Sequence, residues 1–403
     1  MHLLFINRFF YPDQSATARI LTDLATALVA QGFRVTVLTG RVGYLDVEQV
    51  LPPRDTYKGV IVQRIWSSGF GRHSAVGRLA DYLSFYLSAA WVAICSKGVD
   101  CLIVLSDPPM LSVLAVLLGR LKGWKTLCWL QDVFPEIAVE AGLLKDGRVT
   151  RVLRQVARWS LRGCHRVIAV GRCMERYLLR VGTPQDRIVV IPNWADGDCL
   201  TPVAPHDNWF RKEHELDGRL VVMYSGNLGV VHETDALLEV VRRLQVMPEV
   251  CVLFVGEGQG KDRLEEWARR EAMQHVRFLS YQAQESLRYS LSAGDIHLVT
   301  LRPEMEGLSI PSKVYGILAV GRPVVFIGPE GSEVAALVRE AGCGEVFSPA
   351  EHEKAAVALL TLAQDAERQE RLGMAGRRYF EAVLDKTLAI QRFRAVFVSM
   401  GSK

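Results

Sequence analysis

One alternation runs through this chain twice, and it limits the folds open to it. Short runs rich in Val, Ile and Leu alternate with stretches of helical period: HLLFINRFF, then ARILTDLATALVAQG with Gly32 at its close, then FRVTVLTG. The rhythm continues through VDCLIVLSDPP, a helix to about residue 122, WKTLCWLQD, an arginine-rich helix, HRVIAVG, a helix over 173–181 and RIVVIPN. A polar stretch, residues 194–218, lacks either period and reads as a linker. The alternation then restarts with LVVMYSGNLG, a helix over 235–244, VCVLFVGEGQG, a helix over 263–271, VRFLSY, a helix over 285–293, IHLVTLRP, PVVFIG and a helical tail. The expected fold is α/β, two Rossmann-like domains facing a cleft. Residues 1–197 form the first and 198–386 the second, with an amphipathic helix over about 387–403 packing back on the first.

A chain of 403 residues is long enough for two cores. Its eight cysteines (95, 101, 128, 164, 173, 199, 251 and 343) form no CxxC pair and read as buried small hydrophobes in a reducing compartment. MHLLFINRFFYP reads as a first strand rather than a signal peptide, which points to the cytoplasm. LSFYLSAAWVAIC and MLSVLAVLLG fall short of the roughly 20 residues of a spanning helix, though both are apolar enough to touch a bilayer.

Charge is uneven. Residues 1–200 hold 24 Lys and Arg against 16 Asp and Glu, and the remainder holds 24 against 28. Part of the excess is a helical stripe of Arg148, Arg151, Arg154, Arg158 and Arg162 with Trp159 among them. Two readings are open: a surface for anionic lipid or a phosphate-bearing acceptor, and a solvated helix face. No nucleic-acid motif accompanies the arginines.

Ligands of such sheets sit beyond the carboxyl ends of the strands, so the following loops carry the chemistry. FVGEGQGKDRLEE is no Walker loop, because Asp262 follows Lys261, and it lacks a full dinucleotide fingerprint; a purely structural turn stays open. In EGLSIPSKVYG, Pro311 suits the first helical position and puts Ser312 and Lys313 on the opening turn, where free N–H groups favour anions. Lys313 as an anion ligand stands beside Lys313 as an ordinary surface lysine. In the first domain Asp132 of WLQDVFPE and Asp107 of SDPP lie in loops after strands, where an aspartate also forms turns or caps a helix. No DxD-type pair follows a second-domain strand, and Glu304 and Glu306 lie too near Lys313 to suggest Mg²⁺, so no metal is expected.

As an ordered set, IPNW, YSGNLG, FVGEGQG, VRFLSY, EGLSIP and GILAVGRPVV resemble the nucleotide-sugar-dependent glycosyltransferases of family 4, which have the glycosyltransferase B fold. PSKVYG, WLQDVFPE and FYPDQSATARILTDLA are similar to the branch that builds bacterial exopolysaccharide and O-antigen units. The resemblance implies a retaining transferase moving a hexose or N-acetylhexosamine from a nucleoside diphosphate sugar, UDP-linked, to a glycan or polyprenyl-diphosphate-linked acceptor. The setting it implies is the inner face of the cytoplasmic membrane.

Carried over residue by residue, it makes Glu306 the carboxylate that meets the donor sugar, within the loop Gly307, Leu308, Ser309 and Ile310. Ser225, Gly226, Asn227 and His232 fall in the first donor loop, Gly256 and Glu257 in the second, and Phe278 and Leu279 beside the base. The family's ribose carboxylate is replaced by Gly316, leaving backbone or Tyr315 to hold the ribose. Its Arg and Lys opposite the diphosphate are replaced by Asn227 and His232, so Lys313 with the turn from Ser309 to Ser312 is expected to be the compensating clamp, with His232 and Asn227 adding hydrogen bonds. Ser15 and Ala16 stand where the family's paired glycines lie close to the phosphates or the reacting centre, in a loop that here is expected to serve the acceptor. Gln131-Asp132 stands at the place of the family's His near the donor sugar, which makes Asp132 a candidate acceptor base or sugar ligand. The competing readings are a nucleotide-sugar 2-epimerase of the same architecture and a non-catalytic nucleotide-sugar-binding scaffold partner.

Overall fold

The computed structural model describes residues 1–43, 50–70 and 75–401. The chain divides into two compact units, Met1–Pro192 with Ala389–Lys403, and Asn193–Leu388.

Among its described residues the first unit holds eight strands: β1 (His2–Ile6), β2 (Arg34–Gly40), β3 (Arg54–Tyr57), β4 (Val60–Ile65), β5 (Cys101–Val104), β6 (Lys125–Leu130), β7 (Arg166–Ala169) and β8 (Ile188–Val190). They lie in the order β3-β4-β2-β1-β5-β6-β7-β8, parallel except for the β3–β4 pair. Every residue of β1 is buried, with Phe5 facing Val37 on one side and Ile103 on the other. A strand buried on both faces tolerates only a continuous apolar run. The order reverses at β1, whose neighbours β2 and β5 follow it and lie on opposite sides, so the loops after β1 and β5 flank the switch point. The C-terminal helix Lys386–Gly401 adds Phe393 and Phe397 to this core: Phe393 packs 4.6 Å from Trp129, and Phe397 6.3 Å from Phe5. Residues 402 and 403 of the expected last helix lie outside the described residues.

The second unit holds β9 (Leu220–Ser225), β10 (Val250–Val255), β11 (Val276–Leu279), β12 (Ile296–Thr300), β13 (Val324–Ile327) and β14 (Gly344–Phe347). Their order is β11-β10-β9-β12-β13-β14, all parallel, the doubly wound arrangement with its switch point between β9 and β12.

Three expectations need correction. Residues 194–218 are no free linker: Leu200, Val203, Phe210 and Leu216 are buried, and Arg211 pairs with Asp295 at 3.1 Å, fixing the segment to the second unit. Its buried polar residues bond backbone groups, Asn208 the Tyr289 carbonyl and Arg211 those of Ala293 and Leu216, which hides its packing from a periodicity test. The antiparallel β3–β4 pair and β14 are not among the expected strands: β3 is exposed at three of its four residues, β4 is interrupted by Gln63 and Arg64, and β14 is half-buried throughout, so none leaves a continuous apolar run. Finally, the helix expected to begin at Pro311 spans Lys313–Ala319 with Ser312 at its cap, so Pro311 precedes the helix instead of opening it.

Candidate functional site

In the second unit the loops after β9, β10, β12 and β13 leave the same edge of the sheet. The loop after β12 contains a turn, Met305-Glu306-Gly307-Leu308, closed by Leu308 N–H donating to the Met305 carbonyl at 3.0 Å. Glu306 has φ −58° and ψ 122° and Gly307 has φ 75°, the geometry of a type II turn, whose third position needs the left-handed backbone that glycine supplies. The turn sets the half-buried Glu306 carboxylate against the loop after β13. A Cβ on Gly331 would lie 2.2 Å from Glu306 Oε1, so only a residue without a side chain leaves the carboxylate its place.

Seven residues after Glu306, Lys313 reaches across the switch point to the loop after β9. Its Nζ lies 3.5 Å from the Tyr224 ring centroid and donates to the Asn227 carbonyl at 3.1 Å. It passes Gly226, where a Cβ would sit 3.4 Å from Lys313 Cε and where φ is +117°. Among the described residues no carboxylate pairs with it. The side chain keeps a partly exposed edge, yet burial of the ammonium pushes its pKa well below the ordinary lysine range. A desolvated cation with no counter-charge favours any ligand that brings one.

His232 lies in the same group, 7% exposed, its ring 6.0 Å from that of Tyr224. Nδ1 donates to the Thr300 carbonyl at 2.9 Å, which fixes Nε2 as an acceptor in the neutral ring. Burial, and then the charge of Lys313, push its pKa down to about 3 against the opposing pull of the Thr300 bond. At neutral pH His232 therefore presents a lone pair, suited to a hydroxyl group and unsuited to a phosphate oxygen.

The structure thus brings Lys313, Asn227 and His232 together beside Ser225 and Gly226, with Glu306 in the loop that leads into the helix of Lys313. The neighbouring turn after β10 joins them: a Cβ on Gly256 would lie 2.4 Å from the Gly226 carbonyl oxygen. Glu257 faces Lys261 at 3.4 Å, and Lys261 also donates to the Leu279 carbonyl at 3.2 Å. That carbonyl takes Gly256 N–H at 3.0 Å as well, so both its lone pairs are used within the protein. Phe278 is half-buried and stacks on Phe254, centroids 5.2 Å apart. Leu308 and Ile310 are buried, Ser309 is half-buried and Ser312 is exposed. Tyr315 is 1% exposed, which leaves it no surface to offer a ribose in this conformation. At Gly316 a Cβ would lie 3.2 Å from Leu291 Cδ1 and 3.7 Å from Leu200 Cδ1. That face of the helix packs on apolar side chains, so a carboxylate there would be desolvated.

In the first unit Ser106 Oγ accepts the N–H groups of Gln131 (3.1 Å) and Asp132 (3.2 Å), which ties the loops after β5 and β6 and sets Asp107 and Asp132 on adjoining loops. Both aspartates are half-buried. Ser15 caps helix Ala16–Ala30 with φ −60° and ψ 151°, a conformation open to any residue, and its N–H donates to Asp13 at 2.7 Å. The loop therefore needs no glycine at Ser15 or Ala16.

Two residues escaped the sequence reading. Arg8, after β1, donates its N–H to the Asp107 carbonyl at 2.9 Å, and its guanidinium lies 5.3 Å over Tyr82 and 3.8 Å from the buried Asp81. Tyr86 donates to the Pro109 carbonyl, and burial together with the charge of Asp107 raises its pKa. Arg8 was available as the first charge after a strand; Tyr86 belongs to a helix whose phase the sequence does not reveal.

Comparison with known proteins agrees with this architecture. Residues 15–194 match the glycosyl transferase 4-like domain, and residues 206–379 match the glycosyl transferases group 1 domain. The chain is 27% identical over 267 residues to "Probable glycosyltransferase WbjE" of Pseudomonas aeruginosa, covering 66% of each protein. It is 28% identical over 283 residues to "Putative colanic acid biosynthesis glycosyl transferase WcaI" of Escherichia coli (strain K12), covering 69% of this chain and 68% of that one. Each match thus spans about two thirds of the relative's length. Among solved structures, HepE of Anabaena in complex with UDP-glucose superposes with a TM-score of 0.74 at 17% identity over 99% of this chain and 100% of that one. WaaG, a glycosyltransferase involved in lipopolysaccharide biosynthesis, gives 0.70 at 14% over 96% and 98%. With both halves of the sequence accounted for by these two domain models, the chain belongs to the family 4 glycosyltransferases, with the glycosyltransferase B fold.

Proposed function

We propose that the protein is a retaining glycosyltransferase of cell-surface polysaccharide synthesis. It transfers a hexosyl or N-acetylhexosaminyl group from a UDP-linked donor to a lipid-linked or growing glycan acceptor. The observation that carries this reading is the Lys313 ammonium, desolvated between the loops after β9 and β12 and lacking a counter-charge. A diphosphate supplies that charge, and the negative charge that grows on it as the glycosidic bond breaks strengthens the contact in the transition state. Glu306 takes the hydroxyls of the donor sugar, and the Nε2 lone pair of His232 accepts a further hydroxyl. Asp132 and Asp107, on adjoining loops of the first unit, serve the acceptor. The names of WbjE and WcaI and the UDP-glucose complex of HepE support the substrate class. No metal is assigned, because Lys313 takes the part of the diphosphate counter-ion.

Incubation with a panel of UDP-, GDP- and ADP-sugars and a polyprenyl-diphosphate-linked saccharide extract tests the proposal. The expected result is release of UDP with a new glycosidic bond of the donor's own anomeric configuration, read by NMR. Inverted configuration would remove the retaining assignment. A sugar that stays on its nucleotide as the epimer would make the protein an epimerase, and binding without turnover would favour the scaffold.

A further inference from the structure

Helix Ala75–Cys95 of the first unit breaks the usual pattern of a surface helix. From Val76 to Ile94 its exposed positions are Val76, Leu79, Leu83, Leu87, Trp91 and Ile94, every one apolar and spaced by three or four residues along one stripe. Leu87 is 74% and Trp91 70% exposed. The charges of this helix lie off the stripe, Asp81 buried and Arg78 half-buried. At about 1.5 Å per residue the stripe is about 27 Å long.

Helix Leu111–Lys122 packs beside it, with Lys122 Nζ donating to the Ile94 carbonyl at 2.7 Å, and exposes Leu117 and Leu121. Helix Arg148–Gly163 packs against that one in turn and exposes Val149, Val152 and Trp159, with the Arg120 guanidinium 5.3 Å over the Trp159 ring. Arg148, Arg151 and Arg158 are exposed between these apolar residues.

We propose that this three-helix face is a docking surface for an anionic phospholipid bilayer, lying in the plane of the membrane. The Leu, Val and Trp side chains enter the acyl boundary, while Arg120, Lys122, Arg148, Arg151 and Arg158 meet lipid phosphates. No helix among the described residues is long and apolar enough to cross a membrane, so the contact is with one leaflet. The charge pattern selects the bilayer over a protein. A second copy docking through the same patch would set arginine against arginine, and another protein would have to bury those guanidiniums against matched carboxylates. A leaflet offers phosphates directly above its apolar layer. This inference is independent of the donor assignment.

Flotation of the full chain with vesicles tests it. Phosphatidylcholine vesicles with one third phosphatidylglycerol are compared with phosphatidylcholine alone, for the wild type and two triple variants at exposed sites. The first variant is Leu83→Gln, Leu87→Gln, Trp91→Gln, which keeps the charge; the second is Arg148→Gln, Arg151→Gln, Arg158→Gln. Thermal melting checks that both remain folded. The wild type is expected to float with the anionic vesicles, the apolar variant to partition about tenfold less or worse, and the arginine variant to lose its preference for anionic lipid. A wild type that stays at the bottom, or an apolar variant that floats like the wild type, overturns the proposal. So does a wild-type dimer in sedimentation that the apolar variant converts to monomer without any flotation.

Discussion

Lys313 is the residue on which the functional account turns, and the glycines around the site are as informative as its charges. Gly331 does not have a left-handed backbone, so alanine is tolerated there conformationally, but its Cβ would fall on the Glu306 carboxylate. Gly331→Ala is therefore expected to reproduce the kinetic defect of Glu306→Ala, a drop in kcat of at least about tenfold, while leaving the melting temperature and UDP affinity nearly unchanged; steady-state kinetics beside a UDP titration measure this. Gly226→Ala combines a positive φ with a closer approach to Lys313 and is expected to cost about 1–2 kcal/mol of stability in denaturant unfolding and to weaken UDP binding. Of these residues, Glu306, Asn227 and His232 were legible in the sequence because each sits in the segment that follows an apolar strand, and Lys313 because it opens the helix after Pro311 and Ser312. Gly331 was not, since its role exists only once the loops after β12 and β13 meet. Gly316 was legible as a departure, but the apolar neighbours it meets depend on helix phase and on Leu200 and Leu291, which are remote in sequence.

At the scale of elements, the strand-helix alternation was readable because strands buried on both faces leave a continuous apolar signature, as β1 and β10 do. No such signature marks β3, exposed at three of its four residues, or the packed segment 194–218, held by Arg211 and not by any periodic face. The C-terminal helix was legible from its amphipathic pattern, and its worth to the first unit follows from Phe393 and Phe397, both fully buried. Phe393→Ala is expected to destabilise the first unit by about 3–5 kcal/mol, through lost burial and the cavity left beside Trp129. The UDP affinity of the second unit should be unaffected. Tryptophan fluorescence during urea unfolding, with a parallel UDP titration, separates the two effects; equal loss of both would contradict the division into two units.

Two buried histidines give the whole molecule a pH dependence. Burial pushes His232 down to about 3 and His297 down to about 4, so in the folded chain both stay neutral well below the usual histidine range. The unfolded chain takes up these protons near pH 6.5, and stability rises with pH wherever the unfolded state binds more protons. Stability of the second unit should therefore fall as pH drops from about 6.5 towards 4, by up to about 1.4 kcal/mol per pH unit for each histidine. A denaturation midpoint constant between pH 7 and 5 would contradict this. Neither histidine announced itself in the sequence as a titrating group, because burial is a property of the assembled sheet.

The central claim, that the second unit holds a nucleoside diphosphate through Lys313, is tested most directly by calorimetric titration of UDP into the wild type and Lys313→Ala. UDP is expected to bind the wild type and to bind the still folded variant 10- to 100-fold more weakly, about the loss of one charge-assisted hydrogen bond. Equal affinity in the two proteins would contradict it.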